Sequence, residues 1–320
     1  MTRLDCTVGG RKVAIIGAGY VGASIAYALT IREVAREIVL IDIDQEKARG
    51  EAEDIRHGIP FLGTANLYAG DYADCAGCDL IIVSAGRNRR PGETRLDMAG
   101  DNVEILRNVV ANIQRYYTRG VILIISNPVD ILVQKASEWM ELPNGVVFGS
   151  GCMLDSSRLV RAIADHVSLN TGVISGFVAG EHGDCQVPIW SRVSVGGIPI
   201  AEYCENAGLP WTEAERAALA QRTRDMGGRI IRAKGKTHYG IATCVCYLAD
   251  AVLGGRPTIA SVCSPLQGEH GVKGVSLSVP SVVGINGVQL RLREKWTPEE
   301  YRGFFDAVES VRGVLAQVNA

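Results

Sequence analysis

A glycine-rich segment near the N-terminus constrains the fold more than any other feature of the sequence. Residues 11–16 form an apolar run typical of a short buried strand, and the segment GAGYVG at 17–22 follows directly, before a predicted helix at 23–31. Gly17 permits a tight turn, Gly19 lets a ligand approach the backbone, and Gly22 lets helix and strand pack closely. The segment therefore predicts the first strand–turn–helix unit of a doubly wound parallel sheet.

The remainder of the first half alternates apolar strands with polar helices. Strands are predicted at 38–42, 79–84 and 121–125, and helices at 44–57 and 97–117. This order is typical of a parallel sheet with helices on both faces. We therefore expect an α/β fold in which residues 1–150 form a Rossmann-type domain.

The second half has a different pattern and predicts an α+β domain at residues 151–320. Antiparallel strands are indicated at 173–179 and 187–195, a long helical stretch at 212–252, and a hairpin at 275–290 with its turn at Asn286-Gly287. Thr297 and Pro298, followed by two glutamates, predict the start of a C-terminal helix. We expect this half to bind the substrate.

Composition and charge exclude several functional classes. The chain has 33 Lys and Arg against 35 Asp and Glu, so no basic surplus points to nucleic acid or to an anionic membrane surface. No apolar run reaches the roughly 18 residues that indicate a membrane span. Nine irregularly spaced cysteines favour free thiols in a reducing cytoplasm over a disulfide framework. Cys75 and Cys78 have the C-x-x-C spacing but no second pair, so no metal site is predicted.

The glycine segment and the end of the second strand together predict a dinucleotide site. The helix that follows Gly22 offers free N–H groups and the positive end of its dipole to phosphates. Asp42 ends the second strand, 20 residues after Gly22. A carboxylate there would accept hydrogen bonds from the adenosine ribose and would repel a 2′-phosphate. The predicted cofactor is therefore NAD rather than NADP.

Among the five histidines, His182 has the sequence context of an acid–base residue. It lies in the segment GEHGD at 180–184, just after an apolar strand. Such a histidine needs a carboxylate that fixes its tautomer and stabilises the imidazolium. Asp155, near the start of a predicted helix, is a candidate partner, and Arg158 lies three residues further on the same helix face. The planar fork of an arginine suits a substrate carboxylate.

A basic segment at 86–95 follows the predicted strand at 79–84. It carries four arginines among ten residues, together with proline and glycine. One interpretation is a solvated loop, and the other is a mobile lid over the carboxyl ends of the strands, where ligands bind in open α/β sheets. Asn127 follows the next strand at the same edge and would hold a substrate oxygen or the nicotinamide side of the cofactor.

Taken together, these motifs resemble the L-lactate/malate dehydrogenase family, and specifically its lactate dehydrogenase branch. The resemblance covers nearly the whole chain. It rests on GAGYVG at 17–22, IDID at 41–44, PGETRLD at 91–97, SNPVD at 126–130, GSGCMLDSSR at 149–158, GEHGD at 180–184 and KGKTHYGIA at 234–242. It implies an oxidoreductase that transfers hydride between NAD and a small 2-hydroxy acid or 2-keto acid, assembled as a homotetramer or, alternatively, a homodimer.

The resemblance also implies a role for each matching residue. His182 resembles the family's acid–base residue, Asp155 the aspartate that orients it, Arg158 the arginine that clamps the substrate carboxylate, and Arg95 the lid arginine that polarises the carbonyl. Further substrate-contacting positions are Arg89, Asn127 and Thr237. Positions that match the cofactor groove are Gly17, Gly19, Val21, Gly22, Asp42, Lys47, Tyr72, Gly86, Arg87, Asn127 and Ser150.

The resemblance favours pyruvate and L-lactate as the substrate pair, because Glu181, Thr237 and residues 149–158 look lactate-type. Arg89 is a departure: many lactate dehydrogenases have glutamine there, and malate dehydrogenases have arginine. An arginine can pair with the second carboxylate of oxaloacetate, so malate dehydrogenase is the alternative. A further alternative is a family-4-like glycoside hydrolase, which would hold a divalent metal through Cys and His, with Cys152 as a candidate.

Overall fold

A computed structural model of the protein describes residues 11–87 and 95–319. The first half contains β1 (Lys12–Ile16), α1 (Tyr20–Ile31), β2 (Glu37–Ile41), α2 (Gln45–Gly58), β3 (Asn66–Ala69), β4 (Leu80–Val83), α3 (Arg95–Tyr116), β5 (Val121–Ile124), α4 (Val129–Met140) and β6 (Val147–Gly149). The second half contains α5 (Met153–Val167), β7 (Ile174–Ser175), β8 (Val178–Gly180), β9 (Gln186–Pro188), β10 (Ser194–Val195), β11 (Ile198–Pro199), α6 (Ile200–Ala207), α7 (Glu213–Lys234), α8 (Tyr239–Gly254), β12 (Thr258–Gln267), β13 (Lys273–Gly284), β14 (Gly287–Arg291) and α9 (Pro298–Asn319).

The strand order confirms the predicted fold class. The described strands of the first half are parallel and follow the order β3-β2-β1-β4-β5-β6, which is the order of a Rossmann sheet. The strand order reverses between β1 and β4, since β2 and β3 are added on one side of β1 and β4 on the other, and ligands bind in the crevice at such a switch point. The sheet continues into the second half because β6 pairs with β12, followed by β13, β8 and β9 in antiparallel order.

Helices cover both faces of this sheet, as the apolar character of its strands requires. Successive residues of a strand point to opposite faces. In β4, Ile81 and Val83 pack in the cluster that includes α3, α4 and α9, whereas Leu80 and Ile82 pack in the cluster that includes α1 and α8. Helix α8 belongs to the second half of the chain, so the two halves contribute to one core.

The helical stretch predicted at 212–252 consists of two helices rather than one. Helix α7 ends at Lys234, Gly235 has φ +82°, and α8 begins only at Tyr239. A residue with positive φ ends a helix, and glycine adopts that conformation at low cost. The break therefore leaves residues 235–238 as a loop beside the site described below.

The predicted hairpin is confirmed, but its turn lies one residue earlier than expected. Gly284 pairs with Gly287, so the turn residues are Ile285 and Asn286. Gly287 is the first residue of β14 and has φ +79°. The C-terminal helix starts as predicted, with the Thr297 hydroxyl accepting a hydrogen bond from the Glu300 N–H and the Glu300 carboxylate accepting one from the Thr297 N–H. None of the described helices is long and apolar enough to span a membrane.

Candidate active site

The glycine segment forms a tight turn from β1 into α1 at the switch point of the sheet. Gly17 has φ +103°, and its N–H donates to the Ile41 carbonyl oxygen at 2.7 Å. A Cβ atom on Gly22 would lie 1.8 Å from the Gly17 carbonyl oxygen, whereas one on Gly19 would meet nothing within 4 Å. No side chain caps the N-terminus of α1. The turn thus combines open space beside Gly19 with uncapped N–H groups, and these features fit a pyrophosphate.

Asp42 lies directly beside this turn. One carboxylate oxygen accepts from the Ala18 N–H at 2.6 Å, and the other accepts from the Asp44 N–H at 3.0 Å. Each oxygen keeps a further lone pair for a ribose hydroxyl. Burial and, to a smaller extent, the charges of Cys75 and Asp42 raise the pKa of the Tyr72 phenol. Lys47 is exposed in the first turn of α2.

A buried amide links the loops that follow β4 and β5. Asn102 in α3 is 2% exposed. Its side-chain oxygen accepts from the Arg87 N–H at 2.8 Å, and its side-chain nitrogen donates to the carbonyl oxygens of Arg87 and Asn127 at 3.1 and 2.6 Å. A Cβ atom on Gly86 would lie 3.3 Å from the side-chain oxygen of the same amide. Asn102 was not predicted from the sequence, since a polar residue in an amphipathic helix gives no sign of its buried partners.

The predicted residues of this sheet edge lie together. Asn127 is exposed after β5, in a cis peptide bond with Pro128, and its side-chain oxygen accepts from the Val129 N–H at 3.3 Å. Ser150 is buried after β6, and its N–H donates a hydrogen bond to the Ile124 carbonyl oxygen. Arg87 forms an ion pair with Asp101. Val21 is half-buried in the first turn of α1.

A second group of side chains joins α5 to the loop after β8. Asp155 is 1% exposed, and its carboxylate bridges the side chains of His182 and Arg158. One oxygen lies 2.6 Å from His182 Nδ1, and the other accepts from Arg158 Nη1 at 3.0 Å. Asp155, Arg158 and His182 therefore lie together, as the sequence predicted.

The charges of this group act on one another through the buried carboxylate. Burial by itself would raise the pKa of Asp155, but the charges and hydrogen bonds of His182 and Arg158 outweigh it and lower that pKa below its usual value. Burial likewise would lower the pKa of His182, but the Asp155 carboxylate outweighs it and raises the pKa. His182 therefore holds a proton more firmly than a free histidine does, while about 25% of its side chain stays exposed.

The break between α7 and α8 places residues 235–238 against α1. His238 Nδ1 lies 2.9 Å from the Ser24 hydroxyl, and Lys236 Nζ lies 4.1 Å from the centre of the Tyr20 ring. Thr237 is half-buried in this loop. The loop that carries a predicted substrate residue is thus attached to the helix that starts at the glycine turn.

Two predicted arginines cannot be placed beside these groups. Arg89 lies outside the described residues. Arg95 is the first residue of α3, but its side chain lies outside the described part of the structure. Within residues 11–87 and 95–319, no group of three or more His, Cys, Asp or Glu side chains is arranged to hold a metal ion.

The arrangement has the components of a carbonyl reduction site. A histidine with a raised pKa can donate a proton, a partly buried arginine can bind a carboxylate, and an uncapped helix start with a neighbouring carboxylate fits a dinucleotide. If the dinucleotide is bound, it supplies the hydride, because no side chain carries one.

Comparisons with known proteins agree with this chemistry. Residues 11–149 match the family described as lactate/malate dehydrogenase, NAD binding domain, and residues 152–317 match its alpha/beta C-terminal domain. The L-lactate dehydrogenase of Thermoanaerobacter pseudethanolicus is 40% identical over 308 residues, covering 96% of this chain and 99% of that protein. The L-lactate dehydrogenase of Priestia megaterium is 40% identical over 290 residues, covering 91% of each chain.

The fold leads to the same family. The crystal structure of the minor L-lactate dehydrogenase from Enterococcus mundtii, in its ligands-bound form, matches with a TM-score of 0.93 at 37% identity and covers 97% of this chain and 98% of that chain. The resemblance inferred from the sequence motifs is therefore confirmed. The protein belongs to the lactate/malate dehydrogenase family and carries that family's NAD-binding domain.

Proposed function

We propose that the protein interconverts pyruvate and L-lactate by hydride transfer to and from NAD. The observation that carries this proposal is the buried Asp155 carboxylate, held at 2.6 Å from His182 and at 3.0 Å from Arg158. The relatives named above support lactate as the substrate, since both are called L-lactate dehydrogenases.

His182 is the proton donor for pyruvate reduction in this proposal. When bound, NADH would supply the hydride, and negative charge would develop on the carbonyl oxygen of pyruvate. The protonated imidazole meets this charge and gives its proton to the oxygen, while Asp155 holds the ring by Nδ1. In the reverse direction, neutral His182 takes the hydroxyl proton of lactate as hydride leaves.

Arg158 binds the substrate carboxylate in this proposal. Its Nη1 contacts Asp155, and a guanidinium has five N–H donors, so further donors stay available for a carboxylate. Arg95 would polarise the carbonyl, and Arg89, Asn127 and Thr237 would complete the substrate pocket. The proposed cofactor groove consists of Gly17, Gly19, Val21, Gly22, Asp42, Lys47, Tyr72, Gly86, Arg87, Asn127 and Ser150.

The organisation that we propose follows the sequence analysis. Residues 1–150 would be the NAD-binding domain and residues 151–320 the catalytic domain. We propose a cytoplasmic homotetramer, with a homodimer as the alternative. Two exposed aromatic side chains support an assembly: Tyr27 of α1 is 52% exposed and Tyr247 of α8 is 50% exposed, on helices that pack together.

The two alternative functions receive less support. Arg89 is the sequence feature that favours malate dehydrogenase, but the relatives reported above carry the name L-lactate dehydrogenase. The glycoside hydrolase would need a metal ligand in Cys152, and this thiol is fully buried with its sulfur 3.7 Å from the Gly180 carbonyl oxygen.

The test is NADH oxidation measured in parallel with pyruvate and with oxaloacetate at equal concentrations. We expect a higher kcat/KM with pyruvate and L-lactate as the product. A higher kcat/KM with oxaloacetate would replace the proposal with malate dehydrogenase. Absence of NADH oxidation with both acids would overturn the whole proposal.

A further inference from the structure

A second buried carboxylate lies beneath His182. Asp130 is the second residue of α4 and is 1% exposed. Its Oδ2 accepts a hydrogen bond from the backbone N–H of His182 at 2.9 Å. His182 is therefore held at two points by two different carboxylates, at its ring by Asp155 and at its backbone by Asp130.

The surroundings of Asp130 make its charge significant for the histidine. A buried carboxylate is costly unless a cation or hydrogen bonds compensate it. In the described part of the chain, Asp130 has no ion pair with a lysine or an arginine. The ionisable groups around it are Glu181 and His182 after β8, Cys263 in β12, and Cys152 just before α5. His182 is the only member of this group that becomes cationic.

We propose that Asp130 is a positioning residue that fixes the His182 backbone and whose negative charge helps the His182 ring to keep its proton for the reaction. This inference rests on the proposed function, since it assigns a residue that acts through the proposed acid–base group. No sequence motif pointed to Asp130 beyond its place in SNPVD at 126–130.

The electrostatics of the two groups agree with this role. Burial by itself would lower the pKa of His182, the Asp155 carboxylate outweighs it and raises that pKa, and the Asp130 carboxylate raises it further. Burial raises the pKa of Asp130 itself to about 6. At neutral pH and above, the carboxyl is therefore mostly ionised, and its charge is present over the pH range in which His182 loses its proton.

The test separates the charge of Asp130 from its hydrogen bond. Asp130→Asn has nearly the same shape and removes the charge, and its amide oxygen can still accept the His182 N–H. We measure kcat/KM for pyruvate against pH at saturating NADH. Pyruvate reduction needs protonated His182, so activity falls as pH rises through the pKa of His182. In Asp130→Asn we expect this fall to begin about one pH unit lower, the lower end of the effect of a nearby charge.

Three further variants make the result specific. Glu138→Gln removes a carboxylate from the same helix at a 45% exposed position, and we expect it to keep the wild-type pH profile. Asp130→Glu keeps the charge and should restore most of the wild-type profile. Asp130→Ser is a second neutral variant, in case Asp130→Asn does not fold, and we expect the same downward shift in it.

The outcomes distinguish this inference from the proposed function. If the wild-type protein reduces pyruvate and a folded neutral variant of Asp130 keeps the wild-type pH profile, Asp130 has a structural role only and the inference is wrong. If the wild-type protein does not reduce pyruvate, the proposed function itself fails. A shift in Glu138→Gln of the same size would also contradict the inference, because the effect would then not depend on the contact with His182.

Discussion

At the scale of single residues, the proposed site centres on the buried Asp155 carboxylate and its contacts with His182 and Arg158. Sequence context predicted that Asp155, Arg158 and His182 lie together, because a three-residue helical spacing and a histidine after a strand are local patterns. The buried partners Asn102 and Asp130 were not predicted. Their hydrogen bonds join elements that are 15 to 52 residues apart, and a single sequence contains no direct record of such contacts.

Replacement of His182 should remove most of the turnover. In His182→Asn we expect kcat for pyruvate reduction to fall by about 10²–10⁴, the range of general acid–base catalysis, with little change in NADH affinity. His57→Asn is the control, since His57 is exposed in the last turn of α2. Near-normal turnover in a folded His182→Asn protein would exclude the histidine as the proton donor.

Replacement of Asp155 should change the pH dependence. The Asp155 carboxylate raises the pKa of His182, so its loss lowers that pKa. Because reduction needs protonated His182, we expect kcat/KM of Asp155→Asn to fall at a pH lower by about one unit or more. Asp165→Asn is the matched control in the same helix, where the carboxylate pairs with Arg161. A profile that moved to higher pH would contradict this sign.

Asp42 should set the choice between the two nicotinamide cofactors. Its carboxylate is fixed beside the glycine turn by two backbone N–H groups, where it would repel a 2′-phosphate. We expect kcat/KM with NADH to exceed that with NADPH by more than about tenfold, and Asp42→Ser to narrow this ratio. Asp44→Ser is the control. It removes a neighbouring carboxylate, but serine can still cap the N-terminus of α2 as Asp44 does. Equal use of both cofactors by the wild-type protein would show that Asp42 does not face the ribose.

At the scale of secondary structure, local sequence patterns predicted which helices and strands exist better than they predicted where each one ends. Strand β4 and helix α2 lie within two residues of their predictions, because apolar runs and N-caps are encoded locally. The break at Gly235 was not predicted, since glycine within a helical pattern does not by itself show whether φ is positive. The short strands β7 and β10 were predicted as parts of longer ones, but they pair in a small separate sheet with β11.

Alanine substitutions at Gly22 and Gly19 of the glycine turn should have different effects on stability. In Gly22→Ala the new Cβ would lie 1.8 Å from the Gly17 carbonyl oxygen, so helix α1 must move and the melting temperature should fall. In Gly19→Ala the Cβ meets nothing within 4 Å and φ is −74°, so the protein should keep its melting temperature. Its Cβ would instead enter the space proposed for the pyrophosphate.

Thermal unfolding and NADH titration check this pair of variants. We expect Gly19→Ala to bind NADH at least about tenfold more weakly than the wild-type protein, with unchanged thermal stability. If Gly19→Ala binds NADH as tightly as the wild-type protein does, the cofactor phosphates do not approach this turn.

At the scale of the whole molecule, the two halves share one sheet and one core. Strand β6 pairs with β12, and α8 packs beside α1 on the Rossmann sheet. Alternation of strands and helices predicted the first half well, because parallel strands need crossover helices. The continuous sheet was not predicted, since pairing between distant strands depends on register rather than on local pattern. The hydrogen bond from the His182 N–H to Asp130, at the start of α4, links the second half to the sheet edge of the proposed cofactor residues.

The central claim is hydride transfer to the carbonyl carbon of pyruvate with protonation of its oxygen. The most direct measurement uses NADH carrying deuterium at both C4 positions, with pyruvate in ordinary water and mass spectrometry of the product. We predict L-lactate with one deuterium on C2, because the hydride comes from the cofactor, while the proton from His182 comes from solvent. Lactate without deuterium at C2, or no lactate at all, would contradict the account.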